Sequence, residues 1–282
     1  MSPVVVALRA GLARGVVELR QSFTNGAELW AHVFWPSAMV LTTWFLRDVP
    51  VVPGGPPLGT LVLPGVLGMN VALGMVSLSQ QLVAEREDGT LLRVKAVPNG
   101  VLGYLVGKIL SVSGGLLTDL VIFLVPAVLL IGGLSLGDPA GWLTVAWVLV
   151  LGMVATLPLG AVLGSVFSSA RAQGLIILPI LGAIAISGIF YPLSAFPGWL
   201  QVIGQVFPFY WLGLGMRSAL LPDAAAALEI GGTWRAAETV AVLGAWAVAG
   251  LVVAPVVLRR MARRESGSVM VARRDRALQR VG

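Results

Sequence analysis

Long apolar runs alternate with short polar breaks along this chain. Six runs, residues 28–46, 60–82, 109–131, 142–167, 174–190 and 237–258, are close to the ~20 residues that carry a helix across about 30 Å of hydrocarbon. Ahead of the first, Val5, Leu8, Leu12, Val16, Leu19 and Phe23 recur every three or four residues, with Arg9, Arg14 and Arg20 between them. That spacing predicts an amphipathic helix in the headgroup plane, apolar side down, broken by Asn25-Gly26. The second run stays helical despite Pro64 and continues through Gln80, Gln81, Glu85 and Arg86 into water. Connections follow at the Pro/Gly-rich stretch from Val49 to Gly59, at Gly132-Gly133 to Asp138-Pro139, and at Ser168 to Gln173 with Arg171. The expected fold is all-α and polytopic: an interface helix in 1–26, a six-helix domain over 27–258, and a basic tail over 259–282.

Residues 191–222 need a separate argument. Tyr191-Pro192, Phe196-Pro197-Gly198-Trp199, Pro208 and Leu221-Pro222 punctuate an apolar stretch that a seventh span would fit. Charge parity decides against it. With six spans both termini share one side, which collects Arg9, Arg14, Arg20, Arg86, Arg93, Lys95, Lys108, Arg171 and eight tail arginines, 16 of 19 basic residues. Only Arg47, Arg217 and Arg235 lie opposite. The positive-inside rule makes the rich side cytoplasmic, and residues 195–221 become a re-entrant pair of short helices entering from outside.

Composition fits the pattern: 57% of residues are hydrophobic and 11% charged, with mean hydropathy +0.91, far from a water-soluble domain. No signal peptide is evident in residues 1–25. The absence of cysteine excludes disulfides and thiolate chemistry, and a lone histidine, His32, excludes a His-rich metal site. Basic residues next to apolar runs point to anionic lipid headgroups, not nucleic acid.

One break stands apart. Glu85-Arg86-Glu87-Asp88-Gly89-Thr90-Leu91-Leu92-Arg93-Val94-Lys95-Ala96-Val97-Pro98 puts six charges between runs two and three. Each would cost ~3 kcal/mol at the bilayer centre, so this elbow sits in water at a membrane face. Gly89 can end the long helix in a left-handed cap, and Thr90 can cap a short helix over 90–97. Leu91, Leu92, Val94 and Val97 form its apolar side, Arg93 and Lys95 occupy its last turns, and Pro98-Asn99-Gly100 turns the chain. Lys108 is placed to snorkel to the interface.

The sequence offers no phosphate-loop route to binding ATP. Gly103-x-x-x-Gly107-Lys108-Ile109 is one residue too short for a phosphate loop and has Ile where Ser or Thr must hold magnesium. Asp119 falls near mid-membrane, where a carboxylate is a functional candidate. His32 shares a helical face with Glu28, and Asn70, Met69 and Met75 lie on the second run. These five residues are candidates for a substrate path, with bundle packing or internal pairing as the competing role of each. Gly152, Thr156, Gly160 and Gly164 make a small-residue face, read as packing within the protomer ahead of a dimer seam.

Glu85-Arg86-Glu87-x-Gly89-Thr90-Leu91 with Pro98, and Ser187-Gly188-x-Phe190-x-Pro192-Leu193 leading into Phe196-Pro197-Gly198-Trp199-Leu200, together resemble ABC-2 type transporter permeases. Size and layout are similar to half-transporter permeases of daunorubicin-type drug and antibiotic efflux. Arg93-Val94-Lys95 departs from the more leucine-rich turn common in that family. The resemblance implies that helix 90–97 is a coupling helix, with Glu85, Arg86, Glu87, Gly89, Thr90, Leu91, Arg93 and Pro98 coupling to a separate ATPase. ATP and Mg would be bound by two copies of that subunit, with no cofactor, metal or catalytic residue in this chain. A second permease protomer, identical or sister, would complete an exporter of an amphipathic drug, antibiotic or lipid in a bacterial cytoplasmic membrane. Export of a polysaccharide or lipid-linked glycan is the alternative within the class. A lipid-modifying membrane enzyme needs nucleophiles or metal ligands at one depth, which an isolated Asp119 and one histidine do not supply; a non-catalytic anchor is a third reading.

Overall fold

The computed structural model describes residues 2–50, 57–135, 137–167 and 170–264. Among these the chain is helical, without a named strand: α1 Pro3–Ser22, α2 Gly26–Phe45, α3 Leu58–Glu87, α4 Thr90–Lys95, α5 Gly100–Leu130, α6 Pro139–Val166, α7 Ala170–Ala185, α8 Gly198–Val206, α9 Pro208–Leu220 and α10 Ala236–Arg264. The centre of the first connection (51–56) and residues 265–282 of the basic tail lie outside the described residues, as does the side chain of Arg171.

Among the described residues, four helices are long and apolar enough to cross a membrane: Leu58–Glu87, Gly100–Leu130, Pro139–Val166 and Ala236–Met261. Polar groups at Glu28, His32, Thr42 and Thr43 dilute α2, and α7 has 16 residues. The fifth run is displaced from the expected 174–190, beginning at Ala170 and ending at Ala185. It stops where the Ser187 hydroxyl donates to the Ile184 carbonyl (2.6 Å) and Gly188 turns the chain at φ +75°. In contrast, α10 overruns its expected end at 258, because Arg259, Arg260 and Arg263 suit a helix that has entered water.

Hydrogen bonds define two ends of the bundle. At one, the Gly59 amide meets the Leu46 carbonyl (2.9 Å), the Ser135 amide meets the Leu220 carbonyl (2.8 Å), and the Thr60 hydroxyl donates to Gly132 (3.1 Å). This is the α2–α3, α5–α6 and α9 end. At the other, α1, the last turn of α3, α4, the first turns of α5 and the last turns of α6 and α10 converge on the elbow. A main core joins α2, α3, α5, α6, α7, α9 and α10 through Val40, Leu67, Phe123, Val148, Ile184, Leu212 and Leu243. A second core, nearer the elbow, packs Leu82, Leu91, Tyr104, Leu157, Leu258 and Met261.

The segment expected to be re-entrant is a helical hairpin, α8–α9, whose tip lies part-way along the length of the bundle, with Val206 exposed. At its tip the Val206 carbonyl accepts from the Trp246 indole (2.9 Å). Leu212 and Gly213 sit against Gly68. Trp246 and Gly68 are each ten residues into their helices, about 15 Å along the axis. From there α9 climbs back to Leu220, and it is buried along nearly all its length. Arg217 anchors it: Nε lies 2.6 Å from Glu229 Oε1, and Nη1 donates to the Gly188 carbonyl at 3.0 Å.

Two small-residue stripes set the closest helix approaches. The stripe on α6 packs inside the chain, Gly160 against the Met75 backbone and Gly164 against Ser79. The α1 face turned to α5 carries Ala7, Gly11 and Gly15. Methyl groups at Gly11 or Gly15 would overlap the carbonyls of Gly103 and Gly107 on α5. The Gly-x-x-x-Gly that fails as a phosphate loop is thus one half of a glycine crossing. Val5, Leu12 and Val16 are left exposed, free to meet lipid.

Candidate functional site

The elbow is built by two local rules. Asp88 ends α3, and its carboxylate accepts the Thr90 amide at 2.8 Å. Gly89 between them is left-handed, φ +81°, a conformation that costs an L side chain about 1–2 kcal/mol. Gly89 thus makes the expected left-handed turn. The cap of α4 is supplied by Asp88, however, and not by Thr90, which is the first helical residue. The helix ends at Lys95, two residues short of the expected 97, and Asn99 turns the chain at φ +54°.

Leu91 fastens this short helix. It is 3% exposed and shares a core with Leu82 of α3, Tyr104 of α5, and Leu258 and Met261 of α10. Lys95 Nζ lies 3.5 Å from the Arg263 carbonyl. Arg86 Nη1 donates to the Phe167 carbonyl (3.2 Å) and approaches that of Ser165 (3.5 Å), placing a cation on the negative end of α6. Motion at α4 therefore reaches α3, α5 and α10 through direct contacts, and α6 through Arg86 of α3.

Beside the elbow lies an ion-pair cluster. Lys108 does not snorkel: it is 4% exposed, held by Glu18 (2.8 Å), Gln81 (3.3 Å) and Glu85. Arg14 completes it, with Nε 2.6 Å from Glu18 Oε1 and Nη2 3.2 Å from Glu85 Oε2. The guanidinium stands 5.0 Å over the Tyr104 ring. Burial pushes the Glu18 carboxyl up, but hydrogen bonds from Lys108 and Arg14 outweigh it and hold the group below its ordinary value. Burial likewise opposes the charge on Arg14, and Glu18 and Glu85 more than compensate. Two cations and two carboxylates thus clamp α1 to α3 and α5.

Of the eight residues assigned to coupling, Glu87, Arg93 and Pro98 are exposed, Arg86 and Thr90 are half-buried, and Gly89 and Leu91 are buried. Glu85 is turned into the cluster. Arg14, Glu18, Gln81 and Tyr104 carry no motif and were not singled out by the sequence. The matched Gly11/Gly15 and Gly103/Gly107 spacings were the available signal, since they bring Glu18 beside Lys108.

The path candidates separate into two groups. His32 Nδ1 and Asp119 Oδ1 form a close pair joining α2 to α5, with Phe23 stacked on the imidazole at 5.2 Å. Internal pairing, one of the roles open to Asp119, is what the geometry shows. Met75 is buried against α6, whereas Met69 and Asn70 are half-exposed on α3. No group of three or more His, Asp or Glu that could hold a metal occurs among the described residues.

A family model described as "ABC-2 family transporter protein" matches residues 58–255, everything from α3 to most of α10. The chain belongs to the ABC-2 transporter family. No curated protein matches it significantly. As an ABC-2 permease it is a membrane component of an ABC transporter. Such a component has no ATPase domain of its own and works with an ABC ATP-binding subunit.

Proposed function

We propose that this permease is half of the membrane domain of an ATP-driven exporter, moving an amphipathic drug, antibiotic or lipid-like molecule outward by alternating access. Two ATP-binding subunits carry ATP and Mg, and a second permease, identical or sister, completes the two-fold domain. The membrane is a bacterial cytoplasmic membrane. In this reading α2, α3, α5, α6, α7 and α10 are six spans, both termini are cytoplasmic, and α8–α9 dips in from outside.

The observation that carries the proposal is the fastening of α4. A short helix in water, anchored by Leu91 in a core shared by four long apolar helices, α3, α5, α6 and α10, is a handle on the bundle. A stop-transfer loop needs cations but no such anchor. Nucleotide-driven closure of the ATPase pair would pull on Glu87, Thr90, Arg93 and Pro98 and move α3, α5 and α10 together. The sparse polar groups along the spans favour an amphipathic cargo, with His32–Asp119 and the Met69–Asn70 face of α3 as its candidate contacts.

The test is reconstitution in vesicles with the ATP-binding subunit and a fluorescent amphiphile. Glu87→Ala and Gly89→Pro are expected to abolish permease-stimulated ATP hydrolysis and transport while leaving the subunit's basal hydrolysis intact. Full stimulation by both variants would refute the coupling role.

A further inference from the structure

Resting on the coupling role proposed for α4, we infer that the ATPase-docking face also includes the last turn of α10. The charge on this face changes sign along its length, and the partner meets the α10 end with carboxylates. The two elements form one surface, because Leu91 packs with Leu258 and Met261 and Lys95 reaches the Arg263 carbonyl. Across it, exposed Glu87 and Asp88 stand at the start of α4, exposed Arg93 and Lys95 at its end, and exposed Arg263 beyond them. Among the described residues of α10 the nearest acid to Arg263 is Glu238, at the far end of that helix.

Depth separates a protein partner from lipid. An upright α10 entering hydrocarbon at Ala236 has crossed about 30 Å by residue 256. Arg259 and Arg260 then fall about 5 Å further out, among the headgroups, and Arg263 about 10 Å out, past most of them. The same count along α3 from Leu58 places Glu87 about 13 Å beyond the hydrocarbon, level with Arg263. Arg93, Lys95 and Arg263 thus stand where the partner surface is, and an anionic bilayer would repel the acidic half of the same face. Arg259 and Arg260 are left to the lipid phosphates.

The experiment uses the full chain in nanodiscs of phosphatidylcholine alone or with phosphatidylglycerol, titrated with the purified ATP-binding subunit that stimulation assays pair with it. Arg93→Glu/Arg263→Glu is expected to weaken binding about tenfold in both discs, summing modest exposed pairs. It should also flatten the salt dependence of Kd, with the melting temperature unchanged because both side chains are exposed. Arg259→Glu/Arg260→Glu is expected to leave the affinity unchanged in phosphatidylcholine. Equal affinity of Arg93→Glu/Arg263→Glu and wild type overturns the inference, as does a loss confined to phosphatidylglycerol discs, which would assign the arginines to lipid. If the wild-type chain binds no ATP-binding subunit, the coupling role beneath the inference falls with it.

Discussion

Lys108 shows how much a single side chain depends on its surroundings here. A buried ammonium is tolerated only when paired and hydrogen-bonded, and Glu18, Glu85 and Gln81 supply those partners from two other helices. Lys108→Met leaves two carboxylates facing each other and is expected to cost about 3 kcal/mol, read as a lower melting temperature in detergent. Glu18 adds a pH dependence. Its folded-state value lies below the ordinary 4.5, so its contribution is full above that value and is lost as pH falls through the lower folded one. The destabilisation caused by Glu18→Gln should therefore be constant from pH 7 to about 5 and shrink below about pH 4; a gap that widened on acidification would contradict the pairing. At the far end, Arg217 and Glu229 are 3% and 2% exposed, and Arg217 Nη2 and Glu229 Oε2 have no hydrogen-bond partner. Arg217→Met alone should cost about 3–5 kcal/mol, and Arg217→Met/Glu229→Leu should regain most of it, since an apolar pair avoids the desolvation that an incompletely bonded ion pair carries.

At the scale of elements, short stretches are placed by what they touch more than by their own propensity. A six-residue helix such as α4 is too short to be stable alone; Leu91, the Asp88 cap and the left-handed Gly89 hold it. Gly89→Ala is expected to cost about 1 kcal/mol but to reduce stimulated ATP hydrolysis by more than that loss explains, because it changes the direction of α4. For α1, the crossing of Gly11 and Gly15 with Gly103 and Gly107 allows the backbone contact that brings Glu18 to Lys108. A leucine at Gly11 would force the helices apart, and tryptic cleavage after Arg9, Arg14 and Arg20 should accelerate. Unchanged proteolysis would show that α1 is held by the bilayer alone.

For the whole molecule, the decisive property is that the bundle has two different ends. The elbow, the ion-pair cluster and the Arg-rich turn of α10 gather at one, while the α8–α9 hairpin enters from the other. The chain has no cysteine, so single cysteines report sidedness cleanly. Val97→Cys should react with an impermeant maleimide only in inverted vesicles, and Trp199→Cys only in right-side-out ones. Labelling of both from one side would refute the six-span topology and the outward orientation of the hairpin.

The order of apolar runs, the elbow between the second and third, the left-handed turn at Gly89 and the hairpin after Gly188 were all legible in the sequence. Each depends on hydrophobic period, chain length or a φ that glycine alone accepts cheaply, and those are properties of consecutive residues. Partner choice was not legible. That Lys108 is buried instead of snorkelling, that α1 turns its glycines inward, that His32 meets Asp119 and that Asp88 caps α4 in place of Thr90 all depend on distant segments meeting. Charge and hydropathy say whether a side chain needs a partner; only the packing of helices far apart in sequence says which one it finds.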